Sequence, residues 1–418
     1  MGIISEDAVV IKEAEGLGGE TIITISCPDK TGLGCDLSRV ILLGGLNIAR
    51  GDIQTDVKWC FVVFWVTGKP IISWNLLRQR LLQVCPLCTP AASGIYYYRP
   101  EVQEPKPMEI FLLKFGCSYG WTGLLHDVAK ALCKLELGIK IVKEYAAPGG
   151  KLMNFFYLYD TRKLLHTDMR QEETINRLKS VLGDAMISSE TELAPAEVTA
   201  CLPTPLPSPL TESTFSFEMY DGESSGVGVP SADTVSVLVD NNLSRSHTLL
   251  QISCRDQKGL IYDIMRTLKG YNYQVSYGRF FTNGKGSCEV DLFIMQDKKK
   301  ILDPEKQNTM CARLRTELAC PLRVDVFSRD NATEILVANP VELTRKGRPL
   351  LFYDITLVLK RLDIYISSVE TGRHWVHDRE WEVFRMVLDE SDSSTLPRDK
   401  IKECVRNKLM GWDAWEQP

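Results

Sequence analysis

The sequence predicts an α+β chain: four tandem βαββαβ modules arranged as two pairs, with a flexible linker between modules two and three. Three observations lead there. First, a short phrase recurs as Cys27-Pro28-Asp29-Lys30-Thr31-Gly32-Leu33, Cys117-Ser118-Tyr119-Gly120-Trp121-Thr122-Gly123-Leu124 and Cys254-Arg255-Asp256-Gln257-Lys258-Gly259-Leu260. A worn fourth copy, between Asn339 and Ile355, keeps only Phe352-Tyr353-Asp354-Ile355. Second, each phrase follows an apolar strand-like run and precedes a helix-like run, so the copies mark one repeated unit. Third, a stretch rich in Pro, Ser, Thr and Gly divides the copies in the middle.

The elements of module one set the pattern. Thr21 to Ser26 alternates and is rich in β-branched residues, which marks a strand. Cys27 to Gly34 is a turn, and Asp36 to Gly44 carries Leu37, Val40 and Ile41 at helical spacing. A second strand runs from Leu46 to Thr55 and a third from Trp59 to Val66. Trp74 to Val84 is a helix, and Ile95 to Tyr98 the final strand. Module two repeats this order over Ile110–Phe115, Leu124–Lys134, Ile139–Tyr145, Leu152–Tyr159, Glu172–Leu182 and Ala185–Glu192. Module three follows with Leu249–Cys254, Ile261–Lys269, Gln274–Phe281, Cys288–Met295, Pro304–Leu318 and Leu322–Phe327. Module four runs from Glu334 to Trp412, with Glu382–Leu388 its clearest strand.

The glycine of the phrase serves as a ruler. Gly32 to Gly123 is 91 residues and Gly259 to Gly347 is 88, but Gly123 to Gly259 is 136. The surplus falls between Ala194 and Ser244, where runs such as Pro203-Thr204-Pro205-Leu206-Pro207 cannot bury enough apolar surface to offset the entropy of ordering. The expected boundaries are 20–103, 108–193, a linker at 194–244, 246–329 and 333–415.

Composition narrows the function. At 418 residues the chain exceeds one hydrophobic core, while 44% hydrophobic and 25% charged residues are ordinary globular values. A net charge of -5 without a long basic cluster argues against nucleic acid as partner. No apolar run approaches the length of a membrane span, and the N-terminus lacks a signal-peptide pattern. A cytoplasmic protein with no membrane partner is expected, with entry to the nucleus left open. The thirteen cysteines, an odd number scattered through strands and helices, read as reduced thiols. Cys85-Pro86-Leu87-Cys88 has neither a further pair nor a neighbouring His, so no metal site and no cofactor are expected. Phosphate-loop, dinucleotide, metalloprotease and nucleophile-elbow motifs are absent, and no catalytic residue is assigned. His126-Asp127 imitates a phosphohydrolase metal pair, but its repeat equivalents Cys35-Asp36 and Tyr262-Asp263 have no His.

A strand whose turn glycine opens a helix presents first-turn N–H groups and the positive end of the helix dipole, which suit a carboxylate or phosphate. An Asp follows each glycine by four residues, as Asp36, Asp127 and Asp263; first-turn dipole compensation explains it best.

A βαββαβ module whose first loop reads Asp29-Lys30-Thr31-Gly32-Leu33 or Asp256-Gln257-Lys258-Gly259-Leu260 resembles the ACT domain, a ferredoxin-like regulatory fold of amino-acid metabolism. Four copies, with the linker placed between modules two and three, are similar to the shorter plant ACT domain repeat proteins. Gly347-Arg348-Pro349 and Gly372-Arg373-His374 also resemble that family. The resemblance implies a non-enzymatic sensor, with free amino acids bound at seams between side-by-side modules. Loop N–H groups would meet the ligand carboxylate, and acidic or amide side chains its ammonium. Carried onto this chain, the ligand residues are Asp29, Gly32, Leu33 and Asn47 in module one, and Asp256, Gly259, Leu260 and Gln274 in module three. Module two departs, with Tyr119-Gly120-Trp121 where the acid belongs and Gly138 in place of Asn47; module four has Asp363 there. Modules two and four would then be structural partners. The implied partners are a free amino acid, other modules within the chain or between chains, and an unidentified regulated protein. The alternative is a ligand-free scaffold whose modules pair only with proteins.

Overall fold

A computed structural model of the chain describes residues 8–13, 19–56, 58–86, 109–147, 149–160, 162–195, 235–329, 332–343, 346–376, 379–389 and 396–411. In chain order, the first module contributes β1 (Val9–Lys12), β2 (Thr21–Pro28), α1 (Leu33–Leu43), β3 (Asn47–Thr55), β4 (Trp59–Thr67) and α2 (Trp74–Val84). The second contributes β5 (Phe111–Cys117), α3 (Leu124–Lys134), β6 (Leu137–Ala147), β7 (Lys151–Asp160), α4 (Asp168–Leu182) and β8 (Met186–Leu193). The third has β9 (Ser236–Asp240), β10 (Thr248–Arg255), α5 (Leu260–Gly270), β11 (Tyr273–Thr282), β12 (Ser287–Gln296) and α6 (Pro304–Ala319). The fourth has β13 (Arg323–Arg329), β14 (Ala332–Pro340), α7 (Leu351–Arg361), β15 (Tyr365–Val376), β16 (Arg379–Asp389) and α8 (Arg398–Met410).

These modules form two compact units, one from residues 1–102 and 225–321, the other from 103–224 and 322–418. In the first unit modules one and three share an antiparallel sheet of order β1-β2-β4-β3-β11-β12-β10-β9. In the second, modules four and two share the sheet β13-β14-β16-β15-β6-β7-β5-β8. Each seam is a direct backbone ladder. It runs from Tyr277–Gln54 to Phe281–Arg50 in the first unit, and only from Ser368–Lys143 to Glu370–Ile141 in the second. Modules one and three are therefore each other's partners, and modules two and four form the second pair; the expectation that two and four support one and three is corrected. Strands of both modules lend their edge N–H and C=O groups to one ladder, which leaves neither edge unpaired.

Three edge strands differ from the sequence reading. The strand expected at Leu322–Phe327 forms as β13, but it pairs with β14 of the fourth module. The third module takes its edge from β9, paired with β10, inside the stretch expected to be linker. In the first module β1 covers the edge of β2. The expected strand at Ile95–Tyr98 and linker residues 196–234 lie outside the described residues.

Local chemistry explains the elements. Along β2, Ile23, Ile25 and Cys27 are buried while Ile22, Thr24 and Ser26 are half-buried, the alternation of a sheet covered on one face by helices. Helix α1 buries Leu37, Val40 and Ile41 on that face. Caps fix the outer helices: Ser73 Oγ accepts from the Leu76 amide, Thr167 Oγ1 from that of Arg170, and Asp303 from that of Glu305 ahead of Pro304. In the second unit one core joins Phe115, Val128, Leu132 and Phe156 of module two to Ile335, Ile355, Leu359 and Met386 of module four.

The helix-opening position is left-handed in all four modules, at Gly32 (φ 79°), Gly123 (φ 95°), Gly259 (φ 75°) and Leu350 (φ 63°). The fourth equivalent of the phrase glycine is therefore Leu350 and not Gly347. Gly259 to Leu350 is 91 residues, the same interval as Gly32 to Gly123. This also moves the position matching Asn47, Gly138 and Gln274 from Asp363 to Tyr365, which opens β15.

Candidate functional site

The repeated loop closes on itself before it reaches any ligand. The amides of Leu33, Leu124 and Leu260 donate to Lys30 O (3.1 Å), Trp121 O (3.1 Å) and Gln257 O (3.0 Å). Those of Asp36, Asp127, Asp263 and Asp354 return to the helix-opening carbonyl at 2.8–3.1 Å. The loop amides of Leu33 and Leu260 are thus engaged inside their own turns.

In the first unit, loop one lies against module three. Gln274 Nε2 donates to Thr31 Oγ1 at 3.1 Å, so the structure brings Gln274 to the loop of Gly32 and Leu33. Lys269, near the end of α5, lays its stem over Gly32, where an added Cβ would sit 2.7 Å from Lys269 Cδ. Its ammonium reaches Asp36 Oδ1 at 2.7 Å, and Lys30 reaches Oδ2 at 2.7 Å. Burial alone would raise the Asp36 carboxyl, but the two ammonium groups overcome that and hold it below its ordinary value. Asp29 accepts from Thr55 Oγ1 at 2.9 Å, and burial pushes its carboxyl up. Asn47 opens β3 opposite Thr67, and the Asp256 amide donates to Gly286 O at 2.8 Å.

The second unit repeats the strap but leaves a cleft beside it. Lys360 covers Gly123, with Cδ 2.5 Å from an added Cβ, and its Nζ lies 2.7 Å from Asp127 Oδ1. Trp121 Nε1 donates to Asp127 Oδ2 at 3.2 Å. Lys269 and Lys360 each follow their aspartate by 233 residues. That equal interval is the sequence signal for both straps. The cleft has an empty volume of about 440 Å³ counted out to solvent. Trp121, Gly123 and His126 form one wall, Lys360, Tyr365, Ser367 and Ser368 the other, and Glu144 and Asn154 line it from the sheet.

Glu144 on β6 and Asn154 on β7 are opposite one another in the ladder, next to Phe115 on β5. The same rung holds Ile53 and Val62 in module one, Phe280 and Val290 in module three, and Thr371 and Phe384 in module four. Module two alone puts an acid and an amide there. Asn154 is 2% exposed, and its Nδ2 has no hydrogen-bond partner among the described residues. Burial raises the Glu144 carboxyl to about 7. His126 donates to or accepts from Thr356 Oγ1 at 3.2 Å, and burial followed by the Lys360 charge lowers it to about 4, so it is neutral. A polar cleft therefore lies at the module pair read from sequence as structural.

Paired βαββα modules, each completed by an edge strand and sharing an eight-stranded sheet, with the strand–glycine–helix loop at the seam, define a tandem ACT-domain protein. Family profiles match in order: the N-terminal region of ACT domain-containing protein ACR10 at 11–86, the ACR9-like, ACT-like domain at 236–332, and the C-terminal region of ACR9 at 333–411. The 236–332 match includes β13, which the structure pairs with the next module. Among relatives, ACR10 of Arabidopsis thaliana is 50% identical across 99% of this chain and 100% of its own length. ACR9 of Arabidopsis thaliana is 44% identical across 99% and 100%. The chain belongs to the plant ACT domain repeat family. The bifunctional uridylyltransferase/uridylyl-removing enzyme of Azospirillum brasilense is 34% identical over 87 residues, 9% of that enzyme.

Proposed function

We propose that this chain is a non-enzymatic regulatory protein that binds a free amino acid at a seam between paired modules and passes its occupancy to a partner protein. The observation that carries this reading is the cleft between the loop of module two and β15 of module four, lined by polar groups from both modules. A ligand that touches both modules binds one arrangement of the pair better than another, and that differential affinity is all a sensor needs. The absence of nucleotide, nucleophile and metal motifs from the sequence supports a role without chemistry of its own.

The scaffold alternative draws support from the first unit, where Lys269–Asp36 and Gln274–Thr31 bridge the corresponding seam with the protein's own side chains. A thermal-shift screen of the common amino acids on the full chain separates the two. A sensor is stabilised by about 2.7 kcal/mol at a hundredfold excess of ligand over its dissociation constant. Unchanged melting with every amino acid favours the scaffold.

A further inference from the structure

We propose that the Glu144–Asn154 pair reads the head group of a free α-amino acid in the cleft of the second unit, ammonium on Glu144 and carboxylate on the Asn154 amide. This rests on the reading of the seams as amino-acid sites, and it moves recognition from the loop to the sheet.

Three observations carry it. The rung is apolar in modules one and three, so an acid and an amide on it spend core packing on something other than stability. Asn154 is buried with a donor nitrogen that no described residue satisfies, in the wall of a cleft. A buried orphan donor of this kind is destabilising unless something fills it. Glu144 has no ion-pair partner among the described residues, because the nearest lining cation, Lys360, is taken by Asp127. Opposite Cβ atoms on such a rung stand about 5 Å apart, which suits a donor and an acceptor separated by one carbon. The loop is a poor substitute, since the Leu124 amide is already bonded to Trp121 O. The ligand's side chain would then face Trp121 and Tyr365.

The surroundings make binding proton-linked. Glu144 shares the cleft with His126 from α3, Lys360 from α7, itself paired with Asp127, and Tyr365 from β15, and near it lies Cys117 from β5, whose thiol burial and then Glu144 raise to about 11. Glu144, raised to about 7, is protonated in half the free molecules near neutrality and must release that proton to accept an ammonium.

The test is calorimetry of the full chain with the common amino acids and with propylamine, in buffers of different ionisation enthalpy at about pH 6 and about pH 8. Glu144→Gln and Asn154→Leu are measured beside the wild type, with circular dichroism confirming their fold. The expected result is about tenfold weaker amino-acid binding at pH 6 than at pH 8, with net proton release at pH 6. Glu144→Gln should lose at least about tenfold in affinity together with the pH dependence, and Asn154→Leu should weaken amino acids but not propylamine. Amino-acid binding untouched by either substitution overturns this inference and leaves the sensor reading standing. Propylamine binding through Glu144 with no amino acid bound overturns the sensor reading and keeps only an amine site. Binding of neither overturns both.

Discussion

Glu144 should make the ligand-free second unit less stable as pH rises. Its carboxyl moves from an ordinary 4.5 to about 7 because burial disfavours the charge. An acid raised in the folded state keeps its proton longer than the unfolded chain does. Its unfavourable contribution is therefore absent below about pH 4.5, grows as pH climbs to about 7, and levels off above. At 1.36 kcal/mol per tenfold, the full span converts to about 3 kcal/mol. The carboxyl keeps part of its solvent contact at the cleft, so screening reduces this to about 2 kcal/mol. Glu144→Gln keeps the shape and removes the titration. Urea unfolding of wild type and variant at about pH 4 and about pH 8, read through hydrogen exchange in β6 and β7, measures the difference. The variant should match the wild type at the lower pH and exceed it by about 2 kcal/mol at the higher. An equal gap at both pH values refutes the reasoning, because a packing effect does not titrate.

Three further outcomes follow from the geometry. Gly123→Ala should cost about 1–3 kcal/mol through its φ of 95° and the Lys360 stem it would strike, whereas Gly149→Ala, also left-handed but with open space around it, should cost about 1 kcal/mol; thermal melts separate the two. Glu317→Ala should destabilise the first unit by about 3–5 kcal/mol, because Arg266, bound to Glu317 and Asp263 and buried, would lose its main counter-charge; urea midpoints check this. Val324→Asp should open the second unit by about 2–4 kcal/mol and leave the first unchanged, since Val324 on β13 pairs with Val337 and lies in one core with Ile335 and Ile401; exchange protection lost in β10 and not in β14 would count against the strand assignment.

The modules were legible because their signals are local. A β-branched run, a turn glycine and an amphipathic helix are read within some thirty residues, and Leu37, Val40 and Ile41 face the core as their spacing indicates. Leu350 was missed because a left-handed leucine carries no composition cue; the surrounding packing imposes its conformation. Glu144 was hidden by a bulge. The register of β6 slips between Ile139 and Ile141, so alternation counted from Ile139 puts Glu144 toward solvent, while the folded strand turns it inward with Val142.

By itself the sequence determined the repeated βαββα unit, its four copies and the helix-opening turn of the first three, all products of short-range preference and hydrophobic period. Tertiary structure alone decided that module one pairs with three and two with four, and that β9 and β13 serve the modules that follow them in the chain. It also decided that the seam of the second unit carries a polar cleft. The pairing of modules depends on which sheet edges meet, and those ladders join residues more than a hundred positions apart, whose energies no local pattern records.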